Sequence, residues 1–181
     1  MTHVCHFIRS FVLELCDASL DYYFLPDAHK NKYNGPIPSD RDAFIQMAEG
    51  LDYIHSEGLV HRDVKPGNVL ISIINDNSVL LKWSDFGLSK PVNERGTYTS
   101  SGVKGTYDWL APEILKMMED DPDDTNTGDS PKRGTIKSDT FSAGEVFFYM
   151  LSGGNHPFGQ LKSYSIPSNV VADKRVNMKG T

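Results

Sequence analysis

Apolar residues recur at helical spacing in the segment between Ser39 and Gly58. They lie three or four positions apart, which places them on one face of an α-helix. Ser39 and the acidic residues after it are typical of a helix start, and Gly58 is typical of the position after a helix end. The pattern therefore predicts a helix over about 41–57. Its apolar face consists of Phe44, Met47, Leu51 and Ile54.

Three other segments carry a readable pattern. Residues 141–151 are apolar nearly all round, which predicts a buried helix near 139–152. Residues 69–74 and 79–83 are short, apolar and β-prone, and the polar residues between them are turn formers. We therefore expect a β-hairpin over about 69–84.

The remaining segments give weaker expectations. Residues 7–16 begin apolar and β-prone, which favours a buried strand, although an edge strand with no special role fits equally well. Residues 17–38 contain several prolines and are expected to form a short helix and a loop. Residues 117–137 are acidic and lack periodicity, which predicts a mobile loop.

Composition excludes several classes of protein. The 181 residues have 39% hydrophobic content and a net charge of −6, so we expect one soluble domain without a basic surface for nucleic acid. Two cysteines do not make a disulfide framework, and they suit a reducing, cytoplasmic compartment. No apolar run approaches the ~20 residues that span a bilayer, so no membrane segment is expected.

The stretch His61-Arg62-Asp63 is followed by an asparagine, Asn68, five residues after the aspartate. This spacing is typical of the catalytic loop of protein kinases, in which phosphoryl transfer depends on positioning and charge neutralisation. Asp63 would orient the substrate hydroxyl and accept its proton, and Asn68 would bind a magnesium ion. Lys65 would lie against the terminal phosphate of ATP, and an Asp-x-Lys loop resembles serine/threonine kinases.

Other signatures follow in the order that this interpretation requires. Asp85-Phe86-Gly87 resembles the second magnesium motif, with Asp85 as the ligand. Further along come Gly105-Thr106 and an Ala-Pro-Glu triplet that ends at Glu113. Because four signatures occur in order, they are unlike a chance run of polar loop residues. Thr106 is expected to support the catalytic loop rather than receive phosphate.

Several roles are implied by the resemblance to kinases. Leu13 would lie at the back of an adenine pocket with Leu70 as its floor, and the hinge backbone from Glu14 to Cys16 would pair with adenine. Asp139 would be a buried acid that binds the catalytic-loop backbone, unless it or Ser138 caps a helix. The residues expected to have structural roles are His61, Arg62, Phe86, Gly87, Glu113 and Asp139.

Hydroxyl-bearing residues cluster in the middle of the segment between the second magnesium motif and Glu113. Most such clusters are only polar loops, but a phosphate here could pair with Arg62 and order the segment. The candidate phosphorylation sites are Thr97, Thr99, Ser100 and Ser101.

The sequence between the motifs makes the resemblance more specific. The segments 11–20, 101–109, 141–144 and 156–159 are similar to those of inositol-requiring kinase/endoribonucleases, the stress sensors of the endoplasmic reticulum. The resemblance implies an α+β protein-kinase fold with a mainly helical C-terminal lobe, a small hairpin and a largely absent N-terminal lobe. It also implies ATP and Mg²⁺ as cofactors, a protein substrate or a full-length relative as partner, possible dimerisation and a cytosolic location.

The 181 residues contain no Gly-rich loop and no strand lysine ahead of the hinge. We therefore expect a partial kinase domain over 1–181, with a hinge at 11–17 and a large lobe at 18–181, from a truncated product or fragment. The leading hypothesis is a serine/threonine kinase by lineage whose isolated chain is inactive. The alternative is a non-catalytic module that pairs with full-length relatives. A third hypothesis, an RNA-processing component, rests on analogy to the family alone.

Overall fold

The computed structural model describes residues 13–75, 78–99, 104–119 and 133–178, and the fold is α+β with a mainly helical lobe. The helices are α1 (Leu20–Tyr23), α2 (Asp40–Ser56), α3 (Pro112–Glu119), α4 (Lys137–Leu151) and α5 (Ser165–Val171). The strands are β1 (Ala18–Ser19), β2 (Leu59–Val60), β3 (Val69–Asn75), β4 (Ser78–Trp83), β5 (Lys90–Pro91), β6 (Thr97–Thr99) and β7 (Arg133–Thr135).

Helix α2 confirms the prediction made from its apolar spacing. Ser39 caps it by accepting a hydrogen bond from the backbone N–H of Asp42 on its side-chain oxygen. Gly58 follows the helix with a φ of 71°, a left-handed conformation that glycine adopts without strain. Its buried residues face helix α4 and the β-hairpin, and they are Ala43, Met47, Leu51 and Ile54.

The hairpin β3–β4 also lies where the pattern predicted it, and it forms a three-stranded antiparallel sheet with β1. Two contacts fasten it to α2. The indole N–H of Trp83 donates to the carbonyl oxygen of Met47 at 2.8 Å, and the backbone N–H of Leu81 donates to Gln46 at 2.7 Å. The open end of the hairpin is therefore held at a fixed place beside the catalytic loop.

Of the strand expected over 7–16, only residues 13–16 lie in the described part of the chain, and they form no strand. Residues 13–16 have no regular structure, and the side chains of Leu13 and Leu15 are 83% and 94% exposed. Hydrogen bonding to β3 begins only at Asp17, whose backbone N–H donates to Ile71 at 2.8 Å. The cause is that no strand lies beside residues 13–16 in the described chain to cover their apolar side chains. Residues 7–12 lie outside the described part.

The prediction of an irregular loop over 117–137 is wrong at both ends. Helix α3 extends to Glu119, and Arg133–Thr135 forms strand β7, which pairs antiparallel with β6. Periodicity could not reveal this strand, because three residues are too few to show alternation and its partner is distant in sequence. Residues 120–132 lie outside the described part.

Candidate active site

The catalytic loop is anchored from below by Asp139, which lies in the first turn of α4 and is 2% exposed. Its carboxylate accepts the backbone N–H of His61 at 2.7 Å and that of Arg62 at 2.9 Å, and it lies 2.9 Å from the ring of His55. The contact predicted for Asp139 is present. The capping alternatives fail, because α4 begins at Lys137 and the Ser138 hydroxyl donates to the carbonyl of Thr135.

Asp63 is 7% exposed and each of its carboxylate oxygens accepts two hydrogen bonds. One oxygen accepts from the Lys65 ammonium at 2.7 Å and the Asn68 amide at 3.0 Å. The other accepts from the backbone N–H and the hydroxyl of Thr106, at 3.0 and 2.8 Å. Burial raises the pKa of Asp63, but the donors from Lys65 and Thr106 outweigh burial and hold this pKa below its usual range. Asp63 is therefore ionised at neutral pH.

Lys65 joins the catalytic loop to the segment that precedes Glu113. Its ammonium lies 2.7 Å from both the Asp63 carboxylate and the Thr106 hydroxyl. Gly105, just before Thr106, has a φ of 122°, and a Cβ there would lie 2.6 Å from the carbonyl oxygen of Arg62. Only glycine permits this approach of the two backbones, so Gly105 positions Thr106 against Asp63.

The expected magnesium ligands flank the open end of the hairpin. The Ser84 backbone N–H donates to the Asn68 carbonyl at 2.9 Å, which brings the residue before Asp85 against Asn68. The Asn68 amide nitrogen is used in bonds to Asp63, so its amide oxygen is the atom available to a cation. Asp85 is exposed and has a φ of 60°. No three His, Cys, Asp or Glu side chains cluster as a metal site in the described residues.

His61 connects the catalytic loop to the second motif. Its Nδ1 accepts the backbone N–H of Asp63 at 3.3 Å, so Nε2 carries the proton and donates to the Ser84 carbonyl at 2.9 Å. The ring of Phe86 lies 5.2 Å from the His61 ring and is 48% exposed. Gly87 follows, and its backbone N–H donates to the Asp85 carboxylate at 3.3 Å.

The hinge residues lie on the β3–β4 side of the site. The Glu14 carboxylate accepts from the Lys82 ammonium at 2.6 Å and the Ser72 hydroxyl at 3.0 Å, and these donors hold the pKa of Glu14 below its usual range. Leu70 is half-buried on β3 and Cys16 is half-buried with a free thiol. Glu113 lies in the first turn of α3 and is exposed.

Among the candidate phosphorylation sites, Thr97 lies in β6 and its hydroxyl oxygen is buried without a hydrogen-bond partner among the described residues. The backbone of Thr99 ends the same strand, while Ser100 and Ser101 lie outside the described residues. The ring between these hydroxyls, Tyr98, is 6% exposed and lies over the Arg62 guanidinium at 5.1 Å. The sequence places Tyr98 inside the hydroxyl cluster but gives it no role of its own, because its contact with Arg62 depends on the fold.

A second buried acid was also missed. Glu145 in α4 is 3% exposed, and its carboxyl lies 3.6 Å from the His156 ring, which is likewise buried and packs against Trp109. Burial and the charge of Asp108 raise the pKa of Glu145 to about 9, while burial lowers the pKa of His156 to about 4. Both groups are therefore neutral at pH 7, and their close approach is not an ion pair.

In the described ranges of the chain, no helix has both the length and the apolar character needed to cross a bilayer.

Comparison with known proteins identifies the arrangement. A family model described as a protein kinase domain matches residues 6–179. The human serine/threonine-protein kinase/endoribonuclease IRE2 is 40% identical over 151 residues, which cover 81% of this chain. The Caenorhabditis elegans serine/threonine-protein kinase/endoribonuclease ire-1 is 35% identical over 168 residues, or 90% of this chain. A Schizosaccharomyces pombe sensor for unfolded proteins in the ER, ire1, is 32% identical over 88% of this chain. The chain spans 15–16% of the length of these curated relatives.

Proposed function

Because the chain belongs to the protein kinase domain family, we propose that it supplies the catalytic lobe of an ATP-dependent serine/threonine kinase of the unfolded-protein-sensor type. The observation that carries this proposal is the network around Asp63, in which Lys65, Asn68 and Thr106 all donate to one ionised carboxylate. A side chain held by four hydrogen bonds is preorganised for positioning a hydroxyl.

The role of Asp63 follows from its low pKa. A carboxylate that is ionised at neutral pH accepts a hydrogen bond from a serine or threonine hydroxyl and aims the hydroxyl's lone pair at the phosphorus. It is a weak proton acceptor, so its main contribution is orientation, and the proton moves to it late in the reaction. Lys65, already 2.7 Å from Asp63, places a positive charge where the transferred phosphoryl group gains negative charge.

The donors at the open end of the hairpin fit magnesium. Mg²⁺ prefers oxygen ligands, and in phosphoryl-transfer sites it is bound by one or two protein groups with water and substrate phosphates completing the shell. The Asn68 amide oxygen and the Asp85 carboxylate would be the protein ligands. The ion would neutralise the phosphates of ATP. Leu70 and the hinge from Glu14 to Cys16 would contact the adenine.

The remaining proposals follow from the resemblance to the sensor kinases. We expect the partner to be a protein substrate or a full-length relative of the chain, with dimerisation and a cytosolic location. Phosphorylation at Thr97, Thr99, Ser100 or Ser101 would regulate the lobe. The endoribonuclease in the relatives' names is not proposed for these residues, since a net charge of −6 does not favour RNA binding.

A phosphotransfer assay tests the proposal on two proteins, the 181-residue chain and a chimera that adds a small lobe with a Gly-rich loop and strand lysine. We expect no measurable transfer from the chain alone, because these 181 residues lack both groups that cover and neutralise the phosphates. The chimera should transfer phosphate from magnesium-ATP, and Asp63→Asn in the chimera should abolish transfer.

The matched control is Asp52→Asn, an exposed acid on α2, which should leave the rate of the chimera unchanged. An inactive but folded chimera with Asp63 intact would contradict the catalytic proposal and favour the non-catalytic module. A normal kinase rate from the bare chain, lost in Asp63→Asn, would show that the 181 residues are a complete enzyme.

A further inference from the structure

The aromatic ring of Tyr98 lies against the catalytic loop, in a position between Arg62 and Gly134 that is called its seat below. One face of the ring lies over the Arg62 guanidinium at 5.1 Å, and the ring is 6% exposed. The hydroxyl end of the ring packs against Gly134 of β7, where a Cβ would collide with Cζ and the hydroxyl oxygen of Tyr98. The seat is thus shaped for a flat side chain between a cation and a glycine backbone.

Arg62 is incompletely satisfied in this arrangement. Its Nη1 donates to the carbonyl of Leu88 at 3.3 Å, but its Nε is buried and has no hydrogen-bond partner within the described part of the chain. A ring face is a weak partner for a cation in comparison with an anion that accepts two hydrogen bonds. The guanidinium therefore retains donor capacity that an anion would use better than Tyr98 does.

The space around the guanidinium is small while Tyr98 is seated. The cavity next to Arg62 and Tyr98 has a volume of about 10 Å³, and its other polar lining residues are Lys104, Ser138, Asp139 and Ser142. This volume holds at most one water molecule, so a tetrahedral phosphate does not fit. Once the ring has left, Arg62 and Lys104 supply two positive charges against the one carboxylate of Asp139, whose oxygens already accept the catalytic-loop N–H groups. The balance of charge therefore favours an anion there.

Strand pairing holds the ring in place. Thr97, Tyr98 and Thr99 pair with Thr135, Gly134 and Arg133, so the paired backbones hold Tyr98 beside Arg62, and separation of β6 from β7 would release it. The buried hydroxyl of Thr97 belongs to the same strand, and a modifying enzyme reaches it only after the same separation.

We propose that the Arg62 guanidinium is a binding site for a phosphate group and that the ring of Tyr98 fills this site in the structure. The ring and a phosphate group would then exclude one another. The inference rests on the proposed function, because it describes how the same lobe is regulated. With Tyr98 seated, β6 and β7 are paired and the segment is ordered without phosphate. When β6 separates, the Thr97 hydroxyl is released for modification and Arg62 becomes free to bind the phosphate that results.

Titration with inorganic phosphate tests the exclusion without ATP or phosphotransfer, so its result is independent of whether the lobe is a kinase. Binding is followed by isothermal titration calorimetry in every variant, and the Arg62 Nε–H resonance in the variants that keep Arg62 shows whether phosphate binds at this residue. Phosphate should bind roughly tenfold more tightly to Tyr98→Ala than to the wild type. In the variant every molecule has Arg62 free of the ring, whereas in the wild type this state is a minor population. Tyr98→Phe keeps the ring over Arg62 but loses the hydroxyl that contacts Ser138 and Arg62, so its gain in phosphate affinity should be much smaller than that of Tyr98→Ala.

Two further variants separate loss of the ring from loss of the fold and from phosphate binding elsewhere on the chain. Gly134→Ala expels the ring while leaving Tyr98 in the sequence, so it should gain phosphate affinity even if Tyr98→Ala fails to fold. Arg62→Gln added to either variant should remove the gain. Equal phosphate affinity in the wild type, Tyr98→Ala and Gly134→Ala would overturn the proposal, and so would a gain that persists without Arg62.

Discussion

Helix α4 carries two buried carboxyl groups whose surroundings differ sharply. Asp139 at its start is 2% exposed and accepts two backbone N–H groups of the catalytic loop. Glu145 in its middle is 3% exposed, and both of its oxygens lack a hydrogen-bond partner within the described ranges. Burial is the same at the two positions, so the number of donors decides what each acid does. The first acid organises the loop above it, and the second is neutral at pH 7.

Removing Asp139 should produce the largest effect. Asp139→Ala leaves the backbone N–H groups of His61 and Arg62 buried and unpaired, which should cost about 3–5 kcal/mol in the free energy of unfolding. Urea denaturation measures this change. Asp52→Ala, at an exposed position on α2, is the control and should stay within about 0.5 kcal/mol of the wild type. A loss below about 1 kcal/mol for Asp139→Ala would mean that the anchor is replaceable by water.

Glu145 should make stability fall at alkaline pH. The pKa of Glu145 rises from 4.5 to about 9 on folding, so the folded chain binds more protons than the unfolded chain in this window. Stability must therefore decrease as pH rises there, by up to about 1.4 kcal/mol per pH unit. His156, whose pKa falls from 6.5 to about 4, acts in the opposite direction below pH 6.5 and masks the effect there.

The measurement is urea denaturation of the wild type and Glu145→Gln at several pH values between 7 and 9. The wild type should lose stability across this range, while Glu145→Gln, which cannot ionise, should lose much less. Identical slopes for the two proteins would indicate that Glu145 is charged in the folded chain and paired with His156.

Removing one hydrogen-bond donor from Asp63 should raise its pKa part of the way toward the raised pKa of Glu145, which has no donor among the described residues. Thr106→Val deletes the hydroxyl that donates at 2.8 Å, so the pKa of Asp63 should rise and the free energy of unfolding should fall by about 1–2 kcal/mol. Carbon-detected NMR titration of the Asp63 carboxyl reports the pKa. Thr106→Ser keeps the hydroxyl and should leave the pKa near its wild-type position. No rise in Thr106→Val would assign the lowering to the remaining donors, Lys65, Asn68 and the Thr106 backbone N–H.

Much of the fold could be predicted from the local pattern of hydrophobic and polar residues. The helix predicted over about 41–57 is Asp40–Ser56, and the one predicted near 139–152 is Lys137–Leu151. The hairpin followed from two β-prone runs around a polar turn. These elements could be predicted because each one carries its signal within its own residues.

The features that escaped prediction depend on partners far away in the sequence. Strand β7 is visible only through its pairing with β6, and Glu145 becomes notable only because the fold brings it against His156. The strand expected over 7–16 is not formed in its described part, 13–16, for the same reason, since an apolar run becomes a strand only when another strand lies beside it. In the candidate site, motif spacing located Asp63 and Asn68, but it could not locate the seat of Tyr98.

The pairing of β6 with β7 has a consequence for the order in which the molecule assembles. The hairpin β3–β4 closes over two residues, whereas the contact of Tyr98 with Gly134 joins positions 36 residues apart. Long loops close slowly and at greater entropic cost, so contacts of this kind form late in folding and open early. The three-residue ladder over Arg62 should therefore be among the first amide groups to exchange with solvent, while the core around α2 and α4 is still closed. Access to Arg62 would then be set by local fluctuation and not by unfolding of the lobe.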